Sequence, residues 1–299
     1  MLDVVIIGSG PAGITAAIYA KRANLNVAVV EKEYLGTGQI AESSRVDNYP
    51  GIPGIDGYSL GEKFREHAES LGVEFTEAQV LSLGQKDGIW IIGCDEDITL
   101  ESKAVIYATG CKNRPLGVPG EEKYYGRGLS FCAVCDGAFY KGKRVAVIGG
   151  GDTALDDAMY LSDICEKVYL VHRREFFRGS ASTLEKLKQK ENVEIIVNAR
   201  VEEITGDKKI DGIILDNKTK LNISGFFAAV GMIPQTELLK EFGVLDESNY
   251  VKASEDTKTT VNGLFAAGDV RTKQLRQVVT AAADGANAIY SVMEYLRNI

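Results

Sequence analysis

Twice in this chain an apolar, β-branched run closes on a glycine-rich turn, enters an alanine-containing helical stretch and is answered by a second apolar run. The first copy reads as a strand over Asp3 to Ile7, the turn Gly8-Ser9-Gly10-Pro11-Ala12-Gly13, a helix over Ile14 to Asn24 and a strand over Asn26 to Val30 ending at Glu31. The second reads as a strand over Arg144 to Ile148, the turn Gly149-Gly150-Gly151-Asp152-Thr153-Ala154, a helix over Ala154 to Asp163 and a strand over Lys167 to Val171. At one offset of 141 residues, Gly8 falls on Gly149, Gly10 on Gly151, Gly13 on Ala154 and Glu31 on His172. Four matches at a single offset mark an internal duplication. A strand that feeds a helix and returns beside itself makes a parallel βαβ unit. The chain is therefore α/β, with two Rossmann-like dinucleotide-binding domains.

The rest of the sequence sets the connectivity. Val105 to Gly110 and Phe226 to Gly231 are apolar strands closing on glycine, followed by Pro115 and Pro234, and Leu264 to Asp269 is a third such strand. Val278 to Leu296 is a long amphipathic helix. The simplest layout inserts the second domain, 116–243, into a discontinuous first domain, 1–115 and 244–299. A length of 299 residues with 45% hydrophobic side chains suits two ordinary domains with full cores.

A net charge of −8 repels phosphate backbones and argues against a nucleic-acid partner. No apolar run reaches the ~18–20 residues of a membrane span, and the N-terminus enters a strand without a basic leader. A cytoplasmic protein without membrane attachment is expected. Five cysteines (Cys94, Cys111, Cys132, Cys135, Cys165) and two histidines (His67, His172) make neither an even disulfide framework nor a metal-ligand spacing. No metal site is expected.

Three segments carry chemistry. In the first turn Gly8 makes the bend, Gly10 lets backbone approach a diphosphate, Gly13 lets helix pack on strand, and Glu31 is placed for a ribose. In the second turn the place of Glu31 is taken by His172, followed by Arg173, Arg174 and Arg178. Guanidinium groups bind a 2′-phosphate that a carboxylate would repel, which points to NADPH; a solvated basic run is the plainer alternative. One chain with two such sites is expected to pair FAD in the first with NADPH in the second. Cys132-Ala133-Val134-Cys135 can shuttle two electrons as a dithiol and disulfide, or can be half a zinc site or two buried cysteines. Asp136 beside it is a candidate proton donor or a helix cap.

Taken together, Cys132-Ala-Val-Cys-Asp-Gly137, Gly149-Gly-Gly-Asp-Thr-Ala154, His172-Arg-Arg-Glu-Phe-Phe-Arg178 and Gly268-Asp-Val270 with Arg276-Gln277 resemble the low-molecular-weight thioredoxin reductases over essentially the whole chain. The resemblance implies an FAD site at Gly8, Ser9, Gly10, Pro11, Ala12, Gly13, Glu31 and Lys32. It adds the wrapping segment Gly36-Thr37-Gly38-Gln39 with Asn48, an adenine contact at Val80, and Ala108, Thr109 and Gly110. Gly268 and Asp269 would meet the ribityl or diphosphate portion, and Arg276 and Gln277 the flavin side. NADPH would lie on Gly149, Gly151, Asp152, Thr153, His172, Arg173, Arg174 and Arg178.

The resemblance also implies a route of electrons from NADPH through FAD to a Cys132–Cys135 disulfide and on to a thioredoxin-like protein. Cys135 would face the flavin, Cys132 would attack the partner, and Asp136 would give the proton. A homodimer is implied, with an inserted domain that turns about hinges near Gly110–Pro119 and Gly231–Pro234. The sequence departs from the family at Gly36-Thr37-Gly38, where consecutive glycines are usual, and at Gly179-Ser180-Ala181-Ser182, which lacks a frequent basic residue. Relatives driven by ferredoxin, dithiol oxidases and the flavoprotein half of a hydroperoxide reductase are the rival enzymes. A flavin redox sensor is the rival outside catalysis.

Overall fold

The computed structural model describes residues 1–33, 37–43 and 45–299. The chain opens with β1 (Leu2–Ile7), α1 (Pro11–Arg22) and β2 (Val27–Glu31), then α2 (Gly57–Ser70), β3 (Glu74–Glu77), β4 (Val80–Lys86), β5 (Ile89–Cys94), β6 (Thr99–Tyr107) and β7 (Cys111–Asn113). There follow β8 (Leu129–Ser130), α3 (Ala133–Asp136), β9 (Arg144–Gly149), α4 (Asp152–Ser162), β10 (Lys167–Val171), α5 (Ala181–Lys188) and β11 (Val193–Ile196). The remainder is β12 (Val201–Thr205), β13 (Gly212–Leu215), β14 (Lys220–Asn222), β15 (Gly225–Ala229), β16 (Met232–Pro234), β17 (Leu264–Ala266) and α6 (Val278–Leu296).

These elements gather into two compact units, Met1–Lys112 with Ile233–Ile299, and Asn113–Met232. In the first unit β3, β2, β1, β6 and β17 lie side by side in parallel, and β4 and β5 extend the sheet from β6 as an antiparallel meander. Side chains alternate across a strand, and β1 uses both faces. Val4 and Ile6 join a core under α1 and α6, while Val5 and Ile7 join Trp90, Tyr107, Leu264 and Val270 on the other side. Gly285 brings α6 against α1, since a Cβ there would stand 2.8 Å from the Ala16 nitrogen. The capping box of Gln277 and Thr280 starts α6 at Val278 and it runs to Leu296, the span its apolar periodicity predicts. Helix α1 begins three residues earlier than the alanine pattern predicts. Pro11 suits the first helical position, where its missing N–H is not needed, and Asn24 at φ 58° ends the turn that follows.

In the second unit β11, β10, β9, β15 and β8 form a wholly parallel sheet. Val145 and Val147 face α4 and its Leu155 and Leu161, whereas Ala146 and Ile148 face a second core with Phe226, Ile213 and Leu215. The antiparallel ladder β12-β13-β14 covers that second face. The return crossing lies at 232–233 rather than 243–244. Leu239 is fully buried and Phe242 stacks on Trp90 at 5.6 Å, so 233–243 pack in the core of the first unit. At the crossings, Arg114 N–H donates to Gly231 O inside the second unit and Gln235 N–H to Gly110 O inside the first.

Candidate functional site

The first glycine turn is built by the chain around it. Gly8 has φ +102°, and a Cβ there would stand 2.6 Å from the Ala108 carbonyl at the end of β6. A Cβ on Gly13 would collide with the Gly8 carbonyl, so α1 enters closer to its own turn than any side chain allows. Ser9 is fully buried, and both its N–H and its Oγ donate to Glu31 Oε2 at 2.9 Å. Glu31 Oε1 accepts the Lys32 N–H at 2.9 Å, which fixes the carboxylate at the end of β2. Lys32 itself is exposed and pairs with Glu33. Gly38, at φ +77°, passes close to Gly10, a Cβ there standing 3.2 Å from the Gly10 Cα, and Gln39 starts a short 3-10 turn behind it. Gly36 lies outside the described residues.

Other segments of the same unit converge on this turn. The Ala78 N–H bonds the Glu31 carbonyl, so the chain leading to Val80 passes the end of β2, and Val80 packs partly buried against Cys94's cluster. Beyond Ala108, the Thr109 hydroxyl donates to Gln235 O at 2.7 Å and Gly110 turns at φ +67°. Gly268, at φ +82°, leaves no room for a side chain beside Ala12 in the first turn of α1, and Asp269 follows it directly in the chain. Asn48 Nδ2 donates to Gln277 Oε1 at 2.8 Å although the two are far apart in sequence. Arg276 stacks on the Tyr250 ring at 4.3 Å and reaches the Asp269 carbonyl with Nε.

Asp269 tests whether these residues suit a flavin nucleotide. Its Oδ1 is buried with no hydrogen-bond partner among the described residues. Burial raises its carboxyl above the ordinary value, against the pull of Lys273 and Arg276. A buried, unpaired carboxylate oxygen at the mouth of a dinucleotide turn needs a donor, and a polyol hydroxyl would satisfy it. The residues fit FAD. Sequence reasoning missed the buried network behind them. Asp284 accepts from the Gly268 N–H, from Arg271 and from Lys273, all within 3.0 Å, and every one of these side chains is nearly inaccessible. The only signal was an Asp-Gly pair inside a helical pattern.

In the second unit the glycine turn is as close at its first glycine, where a Cβ on Gly149 would collide with the Ala229 carbonyl, and opens at its third. A Cβ on Gly149 would crowd Ala154 at 2.7 Å, but one on Gly151 would meet open space. Asp152 Oδ1 accepts the Ser180 N–H at 2.7 Å, and the Gly150 carbonyl accepts Arg178 N–H at 2.7 Å, so the arginine segment is laced to the turn. Thr153 is exposed in the first turn of α4. His172 is turned inward: its ring fills the space beside Gly150, stacks on Phe177 at 4.8 Å and contacts Phe176 O through Nε2 at 3.2 Å. Burial first, then the charges of Arg173, Arg174 and Arg178, hold its pKa below the usual value. His172 therefore shapes the turn as a neutral ring, and the exposed Arg173, Arg174 and Arg178 are the groups that present charge to solvent.

Cys132 and Cys135 form a disulfide. Cys132 caps the short helix α3, its Sγ accepting the Cys135 N–H at 3.2 Å. The Cys132 N–H in turn donates to Ser130 Oγ at 3.1 Å, and that hydroxyl lies 2.6 Å from Asp136 Oδ2. Burial raises the Asp136 pKa while the bond from Ser130 lowers it. A Cβ on Gly137 would press on the Tyr160 and Leu161 side chains of α4 at 2.8 and 3.0 Å, so glycine lets this turn sit close to α4. Ser130 had no signal in the sequence. The other three cysteines, Cys94, Cys111 and Cys165, are free and buried, and burial pushes the Cys111 thiol up to about 12. No group of metal-ligating side chains occurs among the described residues, and none of their helices is long and apolar enough to cross a membrane.

A sequence model of the family described as pyridine nucleotide-disulphide oxidoreductase matches residues 2–285. The chain is 39% identical over 303 residues to a 34.2 kDa protein in the rubredoxin operon of Clostridium pasteurianum, covering 99% of this chain and 97% of that one. It is 38% identical over 305 residues to the thioredoxin reductase of Bacillus subtilis, covering 99% and 95%. Among solved structures it is similar to the thioredoxin reductase from Streptococcus pyogenes, with a TM-score of 0.94 at 40% identity over 100% of this chain and 99% of that one.

Proposed function

The chain belongs to the pyridine nucleotide-disulphide oxidoreductase family, as a thioredoxin-disulfide reductase working with FAD and NADPH, and we propose how its residues divide that work. When bound, the two cofactors supply a hydride and a two-electron store. Gly8 through Gly13 and the N-terminus of α1 hold a diphosphate, and Glu31, anchored by Ser9, takes the adenosine ribose. The unpaired Asp269 Oδ1 receives a ribityl hydroxyl. Arg276, Gln277 and Asn48 line the flavin side, with Lys32, Gly38, Gln39, Val80 and Ala108–Gly110 completing the cradle. In the inserted unit Gly149, Gly151, Asp152 and Thr153 hold the second dinucleotide, and Arg173, Arg174 and Arg178 bind its 2′-phosphate.

The disulfide beside a half-buried acid carries the reading. Reduced Cys132 attacks the partner's disulfide as a thiolate, releasing one partner thiolate and forming a mixed disulfide. Cys135 then displaces the second partner sulfur and restores the Cys132–Cys135 bond. Asp136, its pKa raised by burial, holds a proton for a cysteine sulfur at a pH where an ordinary carboxyl would not. The partner is thioredoxin or a thioredoxin-like protein. The working form is a homodimer, supported by apolar rings that the helices of the first unit leave exposed at Tyr19, Tyr58 and Tyr290. A cycling dithiol with three reduced thiols suits the reducing cytoplasm.

Anaerobic addition of NADPH, and separately NADH, to the flavin-loaded protein tests the assignment by flavin absorbance. Rapid bleaching selective for NADPH is expected. Cys135→Ser should keep that bleaching and lose reduction of a protein disulfide. Bleaching by neither nucleotide, in protein that a low-potential donor does reduce, would move the chain to the ferredoxin-driven reductases. Light scattering of the eluted protein checks the dimer.

A further inference from the structure

Ser130 ends β8 and is 6% exposed, with its hydroxyl among three groups of the redox segment. It accepts the Cys132 N–H at 3.1 Å, lies 2.6 Å from Asp136 Oδ2 and is 3.4 Å from the Cys132 carbonyl oxygen. A serine hydroxyl has one proton and two acceptor positions. The Cys132 N–H takes one acceptor position permanently, so the single proton must choose between two oxygens. While Asp136 is ionised the short bond to its carboxylate wins, because a charge-assisted bond is about twice as strong as a neutral one. Once Asp136 is protonated its own O–H can donate back to Ser130 Oγ. The serine proton is then released to turn to the Cys132 carbonyl.

We propose that Ser130 is the positioning residue for the proton of Asp136, its hydroxyl swinging between the Asp136 carboxylate and the Cys132 carbonyl so that either state of the acid stays paired. The inference rests on Asp136 as the proton donor. As the disulfide accepts two electrons the S–S bond breaks into two thiolates. The Asp136 O–H bond breaks, an S–H bond forms on one sulfur, and the other sulfur keeps its charge as nucleophile. The carboxylate left behind regains the Ser130 O–H bond. A buried anion without that bond would be costly, so the swing lowers the barrier to giving the proton up.

Among the described residues, the titratable groups that face Asp136 come from its own segment and from α4. Its own segment brings the Cys132–Cys135 pair, and the following turn brings Tyr140, whose phenol burial and the Asp136 charge both raise. Helix α4 brings Tyr160 to the neighbouring Gly137 and carries Asp157 about one turn earlier. None of these supplies Asp136 with the hydrogen bond that Ser130 makes.

The test uses the flavin-loaded protein as Ser130→Ala and Ser130→Thr, with Asp136→Asn to assign the signal. The Asp136 carboxyl is titrated by carbon NMR of labelled aspartate, and the pH profile of thioredoxin reduction is measured beside it. Ser130→Ala should raise the Asp136 midpoint by about one pH unit, move the alkaline limb of the profile with it and lower the rate several-fold. Ser130→Thr, which keeps the hydroxyl, should restore midpoint and limb. An unmoved Asp136 midpoint in Ser130→Ala overturns the proposal, as does a threonine variant that behaves like alanine. An Asp136→Asn enzyme with the parent's pH profile would instead overturn Asp136 as donor, and the NMR midpoint would still decide what Ser130 does.

Discussion

The two glycine turns share a plan and differ in how tightly they are drawn. In the first, the helix sits so close that Gly13 has no room for a methyl group; in the second, the matching residue is already Ala154. The first is fixed by a buried serine hydroxyl bound to Glu31, the second by a buried, neutral His172 ring with three exposed arginines beside it. On the proposed assignment of residues, a duplicated unit acquires two specificities on one strand-turn-helix plan. In that assignment the charge at the end of the second strand selects the ligand, while the size of the third turn residue sets how near the helix comes.

That contrast can be broken most sharply at its tightest point. Gly13→Ala forces a methyl group onto the Gly8 carbonyl, so the protein should lose bound FAD and much of the folded first unit, seen in flavin content and a lowered melting midpoint. Its mirror, Ala154→Gly, should cost only about 1 kcal/mol in denaturant unfolding. Equal effects would mean that the two helices are held alike. Next in size, Arg173→Ala combined with Arg174→Ala should raise the KM for NADPH by about 10–100-fold and leave that for NADH little changed, since charge-assisted bonds to phosphate are lost. Parallel losses for both nucleotides would remove the 2′-phosphate from the comparison.

A smaller effect separates the helices that follow the turns. The residue matching buried Ala16 of α1 is Asp157 of α4, whose carboxyl is raised from 3.8 to about 7 by burial and by Asp156. Its folded state favours the proton, so its contribution to stability is full below about pH 4 and is lost as pH rises through about 7. Asp157→Asn should flatten that decline and melt a few degrees higher than the parent at pH 8, with the difference shrinking towards pH 4. Smallest of all, Gly151→Ala should leave the unfolding midpoint within about 0.5 kcal/mol of the parent, because its Cβ meets open space, while weakening NADPH.

Much of this was legible because it is periodic or spaced. Strand β10 and helix α6 occupy the predicted residues, and both turns stand where strand and helix meet. What escaped was built from contacts between distant residues. Nothing near Ser130 in sequence distinguishes it from a solvent-facing serine; only the bend from β8 into α3 brings its hydroxyl to Asp136. The Asp284 network unites α6 with the segment after β17, and no local pattern encodes that meeting. His172 shows the converse. Its position in the duplication predicted a nucleotide contact, but the sequence has no means of saying that the ring turns inward.

The close seat of α6 on α1 also orders events in time. Residues 1–31 leave the ribosome well before the helix that covers α1, which comes only after residue 277. At ordinary synthesis speeds the first turn waits on the order of 10–50 s with an apolar flank uncovered, whereas 113–232 form one uninterrupted stretch that can close meanwhile. The nascent chain can therefore close its inserted unit before the unit that flanks it on both sides in sequence. Flavin capture waits for α6, and a chain cut short anywhere before that helix would emerge colourless.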